Sequence, residues 1–229
     1  MKIAVIPARG GSKRIPRKNV RLFHGKPIVA YSIDAALASG LFDSVVVSTD
    51  DDEIAALARE CGAAVPFRRP QALSDDHTGT NAVARHAIEW FEKAGTPVEE
   101  VCCLYATAPF VTADDLRLAH ARLKADVDFV FAATRFGFPV QRALVCNARG
   151  LVEPMFPQWI GARSQDLPEA LHDAGQFYWG WPGAFQRHDV VFLARAVAYE
   201  LPSHRVQDID TPDDWVRAEQ LYRLSSVAR

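Results

Sequence analysis

The sequence predicts an α/β domain built on a doubly wound, mostly parallel sheet, and three observations support this prediction. Short runs of β-branched residues alternate with segments of helical periodicity from residue 2 to residue 134, as expected for parallel strands joined by crossover helices. Polar loops containing glycine or proline separate many of these segments. The 229 residues, of which 49% are hydrophobic, can bury the core of one domain. We therefore treat residues 1–229 as a single domain.

The first strand and helix begin this alternation. Residues 2–6 form an apolar, β-branched run that predicts a strand. Pro27 then opens a helix, because proline is favoured in the first helical turn and apolar residues follow it at helical spacing. Residues 44–48 read Ser-Val-Val-Val-Ser, which predicts a buried parallel strand. The acidic run 49–53 then caps a helix that is predicted to continue to about residue 60.

The alternation continues through five more elements. They are a brief strand at 63–67, a helix at 78–93, a strand at 101–106, a helix at 112–124 and a strand at 128–134. The irregular stretch 68–76 is predicted as a loop. In open parallel sheets, ligands bind in the crevice at the carboxyl ends of the strands. We therefore expect the loop after Pro7, segment 48–50 and segment 105–109 to line one crevice.

The alternation stops between residues 136 and 174. This segment contains four prolines and several aromatic residues, Phe156 and Trp159 among them. Its composition predicts a small inserted lobe on the single domain. An apolar, proline-rich projection favours a homodimer contact; the alternative is a lid that packs on its own subunit.

The overall composition excludes several classes of protein. The formal net charge is −2, whereas a general nucleic-acid binder is usually basic. The four cysteines form no Cys-x-x-Cys pair, which favours reduced thiols. The N-terminal apolar run is too short for a signal peptide, and no uncharged apolar run is long enough to span a membrane. We therefore expect a soluble, cytoplasmic protein without a nucleic-acid or membrane partner.

The stretch from Pro7 to Asn19 is the strongest candidate for a binding loop. Six positive charges fall within residues 9–21, although the whole chain is slightly acidic. Gly10 and Gly11 lack a Cβ atom, so the backbone can take left-handed conformations and bring N–H groups against an anionic oxygen. A mixture of arginine and lysine suits a triphosphate. The loop is neither a Walker A motif nor a Gly-x-Gly-x-x-Gly motif, and the alternatives are a solvated basic loop or a nucleic-acid patch.

Two carboxylates, Asp208 and Asp210, precede the last predicted helix. Residues two apart in an extended segment face the same side, and Mg²⁺ usually takes one or two protein carboxylates together with water and substrate phosphate. We therefore predict a Mg²⁺ site here, in which Mn²⁺ could substitute. The alternative is a helix start, in which Thr211 or Asp210 caps and Pro212 is the first helical residue. Asp213 and Asp214 are interpreted as structural.

A resemblance to a known family emerges from the loop. The run Arg9-Gly-Gly-Ser-Lys13-Arg-Ile-Pro16-Arg-Lys18-Asn19 is similar to the signature loop of the sialic acid cytidylyltransferase family, whose members activate nine-carbon acidic sugars with CTP. The similarity is greatest to the pseudaminic acid branch. The resemblance covers nearly the whole chain and implies a Rossmann-like nucleotidyltransferase fold. The family also carries a matching Asp-x-Asp before the last helix.

The resemblance implies roles for residues of the loop. Arg9 and Lys13 would contact the phosphates, while Lys18 and Asn19 would hold the loop or the leaving pyrophosphate. The implied catalytic residues are Arg9, Lys13 and Lys18. The implied nucleotide-binding residues are Ala8, Arg9, Gly10, Gly11, Ser12, Lys13, Asn19, Arg69 and Thr107. Arg69 belongs to this set because the segment Arg69-Pro-x-x-Leu73 matches a family segment near the nucleotide.

Two further segments resemble the family's sugar site. Residues 105–109 occupy the place of a Gln-Pro-Thr-Ser-Pro segment, of which only Thr107 and Pro109 are kept; the lost glutamine and serine argue against sialic acid as the substrate. The run 172–179 falls where the family's Asn-Gly-Ala-Ile-Tyr segment lines the sugar, and it is closest to the pseudaminic acid enzymes. The implied sugar-binding residues are Tyr105, Gln141, Arg142, His172, Asp173, Gln176 and Tyr178.

Strand alternation gives a prediction within the second segment. Gln176 and Tyr178 should face one side and Phe177 and Trp179 the other, so half of these side chains belong to the core.

The implied reaction joins CTP to a nine-carbon α-keto acid sugar, giving the CMP-sugar and pyrophosphate. The anomeric hydroxyl would attack the α-phosphorus in line, and catalysis would rest on positioning and charge neutralisation. Pseudaminic acid is the favoured sugar; the alternatives are sialic acid, legionaminic acid and Kdo. A non-catalytic nucleotide-binding module is a second alternative. No residue stands out as a general base.

Overall fold

The computed structural model describes residues 1–76 and 78–227. The strands are β1 Lys2–Pro7, β2 Leu22–Phe23, β3 Lys26–Pro27, β4 Ser44–Ser48, β5 Glu100–Leu104, β6 Phe129–Arg135, β7 Leu144–Cys146, β8 Val152–Pro154, β9 Leu171–Gly180 and β10 Ala196–Glu200. The α-helices are α1 Ile28–Ser39, α2 Asp52–Glu60, α3 Thr80–Lys93, α4 Ala113–His120, α5 Pro182–Arg187 and α6 Pro212–Val227. Short 3₁₀ turns lie in several of the connections.

The central sheet has six strands in the order β10-β6-β9-β5-β1-β4. Strand β1 pairs in parallel with β4 and β5, and β10 pairs in parallel with β6. Only β9 runs against its neighbours β5 and β6. The prediction of a doubly wound, mostly parallel sheet is therefore confirmed.

The core lies on both faces of this sheet. Along β1, Ala4 and Ile6 face one cluster with α1, α2 and α4, while Ile3 and Val5 face the other cluster with α3 and α5. A strand buried on both faces reads as a continuous apolar run, which explains the sequence of β1. Phe177 and Trp179 lie in the first cluster and Tyr178 in the second, so the predicted alternation is confirmed for these residues.

A third apolar cluster fixes the last helix. Trp215 on α6 packs edge-on against Phe23 of the β2–β3 hairpin, and Ile209 is fully buried in the same cluster. The Arg21 guanidinium lies 4.4 Å from the centroid of the Trp215 ring. The acidic segment before α6 is thereby held against the end of the first loop.

Two helix starts agree with their sequence signals. Asp51 caps α2 and accepts a hydrogen bond from the N–H of Ile54 at 3.0 Å. Thr112 and Asp115 form a reciprocal capping box on α4. These caps place the amino ends of both helices at the carboxyl edge of the sheet.

The predicted strand at 63–67 was wrong. Only an isolated bridge joins Val46 to Ala64, because Pro66 has no N–H with which to continue the ladder. Helix α3 begins at Thr80, since Gly79 is its N-cap, and α4 ends at His120, after which residues 121–122 form a turn. Helix α5 and strand β10 were not predicted.

The segment 136–170 leaves the sheet between β6 and β9. It contains the small antiparallel hairpin β7–β8, and β9 begins at Leu171, so residues 171–174 of the expected lobe form the start of β9. Several of its large apolar side chains are exposed to solvent: Phe136, Phe138, Leu144, Val145, Leu151, Val152, Met155 and Ile160.

None of the helices in the described ranges has both the length and the apolar character required to cross a membrane. The cysteines carry free thiols, with Cys102 and Cys103 buried in β5. These two residues pack as small apolar side chains.

Candidate active site

The loop after β1 is anchored to the carboxyl end of β4. Ala8 is buried, and its N–H donates to the Ser48 carbonyl at 2.9 Å, which extends the ladder. The Gly10 N–H donates to Asp50 Oδ1 at 2.9 Å. A Cβ atom at Gly10 would lie 2.6 Å from Asp51 Oδ2, whereas one at Gly11 would meet open space. Close approach to α2 is therefore the reason for glycine at position 10.

The left-handed conformations that are open to Gly10 and Gly11 are not used in this structure. Neither glycine is among the described residues of positive φ, whereas Arg17 has a φ of 57°. The Asn19 side chain is buried and donates to the Arg9 carbonyl at 2.9 Å, and the Ser12 N–H donates to the Gly10 carbonyl at 3.0 Å. These short-range bonds fix the conformation of the loop, and the Asn19 side chain ties the end of the loop to Arg9 near its start.

The cations of the loop pair with acids from other segments. Arg9 lies 2.7 Å from Asp76, which also accepts a hydrogen bond from Lys13. These two bonds lower the pKa of Asp76. Because Asp76 is an anion held by Arg9 and Lys13, it marks where a phosphate would lie if it took the same two partners.

A second group of pairs joins the loop to the acids before α6. Arg14 Nη2 lies 2.9 Å from Asp210 Oδ2. Lys18 Nζ donates to the Ile209 carbonyl at 2.6 Å and lies 3.5 Å from Asp210 Oδ1. The structure therefore brings the predicted loop cations and the predicted metal ligands together, although nearly 200 residues separate them in sequence.

A cavity of about 250 Å³ opens beside the loop that follows β1. Its lining includes Arg9, Lys18, Asn19, Arg69, Tyr105 and Thr107. Of the three strand ends that we expected to line one crevice, the loop after Pro7 and segment 105–109 line this cavity, whereas segment 48–50 contacts the loop at Ala8 and Gly10. A larger cavity, of about 740 Å³, lies between α1, the start of α4 and α6 and is lined by none of the predicted site residues.

Arg69 is the most buried cation of this cavity. Its side chain is only 3% exposed, and its nearest acid is Asp50 at 3.7 Å. Burial lowers the pKa of Arg69, while Asp50 opposes this change. The Nε and Nη2 atoms have no hydrogen-bond partner among the described residues. A buried guanidinium with unused donors is suited to an anionic or carbonyl oxygen of a ligand.

Two tyrosines and one acid form a wall on the β9 side, namely Tyr105, Tyr178 and Asp173. The Tyr178 hydroxyl donates to Asp173 and lies 3.4 Å from the Tyr105 hydroxyl. Desolvation raises the pKa of Tyr105 to about 12 and also raises the pKa of Tyr178, which lies close to Tyr105 and Asp173. Both phenols therefore remain protonated near neutral pH and act as neutral hydrogen-bonding groups.

Gly175 separates this wall from Asp208. It has a φ of 59°, and a Cβ atom there would lie 3.7 Å from Asp208 Cγ and 3.8 Å from Tyr105 Cε2. The neighbouring Gln176 is buried; its Nε2 donates to the Arg205 carbonyl at 2.7 Å, and its Oε1 has no partner among the described residues. Gln176 is therefore partly a structural residue.

Asp208 and Asp210 have different environments. Desolvation and the nearby charge of Asp210 raise the pKa of Asp208. Asp210 is compensated by Arg14 and Lys18. Within residues 1–76 and 78–227, no group of three or more histidine, cysteine or acidic side chains is arranged to hold a metal. The two-carboxylate set nevertheless fits Mg²⁺, which completes its shell with water and substrate phosphate.

Thr211 and Asp214 cap the last helix through a reciprocal capping box, as the Thr211 alternative predicted, whereas the Asp210 side chain takes no part in the cap. Asp214 Oδ2 accepts from the Thr211 N–H at 2.8 Å, and Thr211 Oγ1 accepts from the Asp214 N–H at 3.2 Å. The structural interpretation of Asp214 is therefore confirmed. Asp210 is left available for a different role.

Three predicted sugar-binding residues lie away from this cavity. Gln141 Nε2 donates to the Pro168 carbonyl at 2.7 Å, and Arg142 donates to the Ala162 carbonyl, so both hold the 136–170 segment. The exposed His172 ring packs edge-on against Phe136. The structure thus groups Gln141 and Arg142 with segment 136–170, whereas His172 contacts Phe136 and its Nδ1 also lies 2.8 Å from the Asp173 carbonyl oxygen.

Sequence reasoning missed two acids and one arginine that organise the site. Asp50 holds Gly10 and Arg69, and Asp76 binds Arg9 and Lys13. Arg205 precedes the segment that carries Asp208 and Asp210, and it pairs with Asp115. The position of Asp50 just after β4 was a usable signal, whereas Asp76 and Arg205 had none in the local sequence.

Comparisons with known proteins agree with this geometry. The family model described as cytidylyltransferase matches residues 3–178. The chain is 45% identical over 224 residues to pseudaminic acid cytidylyltransferase from Campylobacter jejuni, which covers 97% of each chain. It is 30% identical over 241 residues to CMP-N,N'-diacetyllegionaminic acid synthase from Legionella pneumophila, with 99% and 98% of the two chains covered.

A solved structure supports the fold. The structure of CMP:2-keto-3-deoxy-manno-octonic acid synthetase complexed with CTP has a TM-score of 0.68 and 18% identity to this chain, and the match covers 98% of this chain and 99% of the other. With a family model that matches residues 3–178 and a relative that is 45% identical over 97% of its length, the chain belongs to the cytidylyltransferase family of CTP-dependent nucleotidyltransferases.

Proposed function

We propose that the protein transfers CMP from CTP to the anomeric hydroxyl of pseudaminic acid and releases pyrophosphate. The observation that carries this proposal is the meeting of Arg14 and Lys18 with Asp210 beside the cavity that Arg9 and Arg69 line. Cations suited to phosphates and an acid suited to a metal thus lie in contact beside one cavity. The choice of sugar follows the name of the C. jejuni relative, which is similar to this protein over 97% of the chain.

In this proposal, the loop cations bind the triphosphate. Arg9 and Lys13 exchange Asp76 for phosphate oxygens, because a phosphate offers them the same kind of charge-assisted bond with more negative charge. Lys18 bridges the triphosphate and the segment at Ile209, and the Arg69 donors bind the nucleotide. Gly10, fixed by Asp50, keeps the loop backbone at the edge of the cavity.

Asp208 and Asp210 would hold a Mg²⁺ ion, for which Mn²⁺ could substitute. The ion, when bound, would neutralise charge on the phosphates and help to lower the pKa of a bound hydroxyl. The nearby charge of Asp210 raises the pKa of Asp208, and a divalent cation would relieve this repulsion. The proposal requires no general base from the protein.

The wall of Tyr105, Asp173 and Tyr178 would bind the sugar. Tyr105 stands where sialic acid enzymes carry the glutamine of their Gln-Pro-Thr-Ser-Pro segment, and a changed polar group can discriminate strongly between analogues. Asp173 accepts from Tyr178 and from the Gly175 N–H and retains acceptor capacity for an N–H or O–H of the sugar.

We further propose that two copies of the chain associate through segment 136–170 and that the enzyme acts in the cytoplasm. The exposed apolar residues of this segment are the support for the homodimer. Free thiols and a CTP substrate support the location.

The test is pyrophosphate release with CTP, Mg²⁺ and, in separate reactions, pseudaminic, legionaminic and sialic acids. Release with pseudaminic acid, lost in Asp210→Asn, supports the proposal. Release with another sugar alone contradicts the specificity. Binding of CTP without release in any reaction, in a folded protein, would favour a non-catalytic module.

A further inference from the structure

Arg205 stands at the junction of three segments that line the site. Its Nη2 donates to the Phe110 carbonyl at 2.9 Å, just after the 105–109 segment. Its carbonyl accepts from Gln176 Nε2 at 2.7 Å, on β9. The residue itself lies three positions before Asp208. Arg205 therefore links the backbone at Phe110 and strand β9 to the segment that carries Asp208 and Asp210.

Arg205 is paired with Asp115, a buried carboxylate of which both oxygens accept hydrogen bonds. The Asp115 side chain is 6% exposed and receives Arg205 from one side. The Thr112 hydroxyl donates to Asp115 Oδ2 at 2.6 Å, the Thr112 N–H donates at 2.9 Å, and the Tyr199 hydroxyl donates to Oδ1 at 3.2 Å. A buried ion pair with additional hydrogen bonds has one favourable geometry, so it fixes the arginine in place.

The opposite end of the acid segment is fixed separately. The Lys18 ammonium binds the Ile209 carbonyl, the Ile209 side chain is buried, and Asp214 caps the turn at Thr211. Between Arg205 and Ile209 the backbone spans only a few residues. A displacement of Arg205 therefore moves Asp208, because the few residues between Arg205 and Ile209 leave no room to compensate for it.

We propose that Arg205, held by Asp115, is a positioning residue that sets where Asp208 lies relative to Asp210 and the first loop. This inference rests on the proposed function, since the two acids are taken as the ligands of Mg²⁺. Arg205 acts through the acid segment and touches no substrate. Partners that orient metal ligands commonly affect metal affinity by about 10- to 100-fold.

The chain offers a matched control at the other end of the sheet. Asp128 is 8% exposed in its side chain and is paired with Arg187 and Arg195. It lies at the amino end of β6, away from the crevice. Asp128→Asn breaks a pair of the same chemistry without touching the acid segment, so any general loss of stability appears in both variants.

The decisive measurement is Mn²⁺ binding to the full-length protein, followed by the EPR signal of the free ion. It needs neither sugar nor turnover. Arg205→Lys keeps the charge but cannot fork onto Asp115 and Phe110 together. We expect its Mn²⁺ dissociation constant to rise by about tenfold, whereas Asp128→Asn should bind Mn²⁺ as the wild type does.

Activity gives a second readout. The half-saturating Mg²⁺ concentration for pyrophosphate release should rise by a similar factor in Arg205→Lys, while the KM for CTP at saturating Mg²⁺ changes by less than about twofold. Equal Mn²⁺ affinity in Arg205→Lys and the wild type would overturn the inference, whatever the activity. Absence of pyrophosphate release from the wild type would count against the proposed function and leave the Mn²⁺ comparison decisive.

Tyr199→Phe covers the case in which Arg205→Lys does not fold. It removes one hydrogen bond from Asp115 without leaving a charge unpaired. A weaker Mn²⁺ affinity in this variant supports the inference, and an unchanged affinity overturns it.

Discussion

The two edges of the central sheet use the same kinds of charged residue in different ways. At the amino edge, Asp128 is bonded to Arg187 and Arg195, and the Arg195 bond lowers the pKa of this carboxylate. At the carboxyl edge, Asp208 lies beside Asp210 with a raised pKa, and Arg69 is buried with unused donors. Complete compensation marks a structural pair, whereas crowded like charges and unsatisfied donors mark a site prepared for a ligand.

Replacement of Asp210 should produce the largest effect and tests the carboxyl edge directly. Asp210→Asn removes the charge that Arg14 and Lys18 now share and one of the two acids proposed for Mg²⁺. We expect kcat/KM to fall on the order of 10²–10³-fold. The exposed Asp213, three residues further on, provides the control Asp213→Asn, which should retain activity. Equal activity in both variants would remove Asp210 from the site.

A methyl group at Gly10 should produce the next largest effect. In Gly10→Ala the new Cβ would meet Asp51, so the loop must move away from Asp50. We expect the KM for CTP to rise by about tenfold or more, because a small displacement of a phosphate-binding loop is costly. Steady-state kinetics with Gly11→Ala supplies the control, since its Cβ would meet open space. A larger effect at Gly11 than at Gly10 would contradict the role of this close approach.

Asp128 tests the amino edge through the pH dependence of stability. Its folded-state pKa is lowered, so its contribution is present above the unfolded-state value of about 3.9 and is lost as the pH falls through the folded-state pKa. Asp128→Asn should lower the free energy of unfolding at pH 7 by about 1–3 kcal/mol. Urea unfolding at pH 7 and pH 3 should show this difference shrinking at the lower pH.

The exposed Asp126, two residues earlier, is the matched control for this measurement. Asp126→Asn should change stability by less than about 0.5 kcal/mol at either pH. An Asp128→Asn variant whose loss of stability is the same at both values of pH would show that the ion pair is not its cause.

Substitutions in the projecting segment 136–170 should have the smallest effect on the stability of the folded subunit. Leu144→Lys and Val152→Lys place charges on exposed apolar positions of the β7–β8 hairpin. We expect sedimentation to show a shift from dimer to monomer, with a change of less than about 0.5 kcal/mol in the stability of the subunit. Leu118→Lys, exposed on α4, is the control. A dimer that persists in both hairpin variants would contradict association through this segment.

Local patterns predicted the sheet well where each element carried its own signal. The β-branched runs of β1 and β4 and the caps at Asp51 and Thr112 depend only on neighbouring residues. The run at 63–67 had a strand-like composition, but it could not pair along its length because Pro66 has no N–H to donate at the sheet edge. Helix α5 and strand β10 are short, so their periodicity was too weak to recognise.

The site was predictable in its parts but not in its contacts. The basic loop and the Asp208–Asp210 pair could be chosen from residue type and spacing. Their partners could not, because Asp76 and Arg205 reach the site only through the tertiary fold. Gln141 and Arg142 illustrate the opposite case, since their residue types suited a sugar but the structure uses them within the projecting segment.

The antiparallel strand β9 has a consequence for the order of folding. It inserts between β5 and β6 after a long excursion of the chain, and closing so large a loop costs little equilibrium stability but raises contact order and slows folding. Until β9 docks, β5 and β6 have no strand between them, and Asp173, Gly175 and Tyr178 are not yet assembled. We therefore expect the nucleotide side of the crevice to form before the side proposed for the sugar.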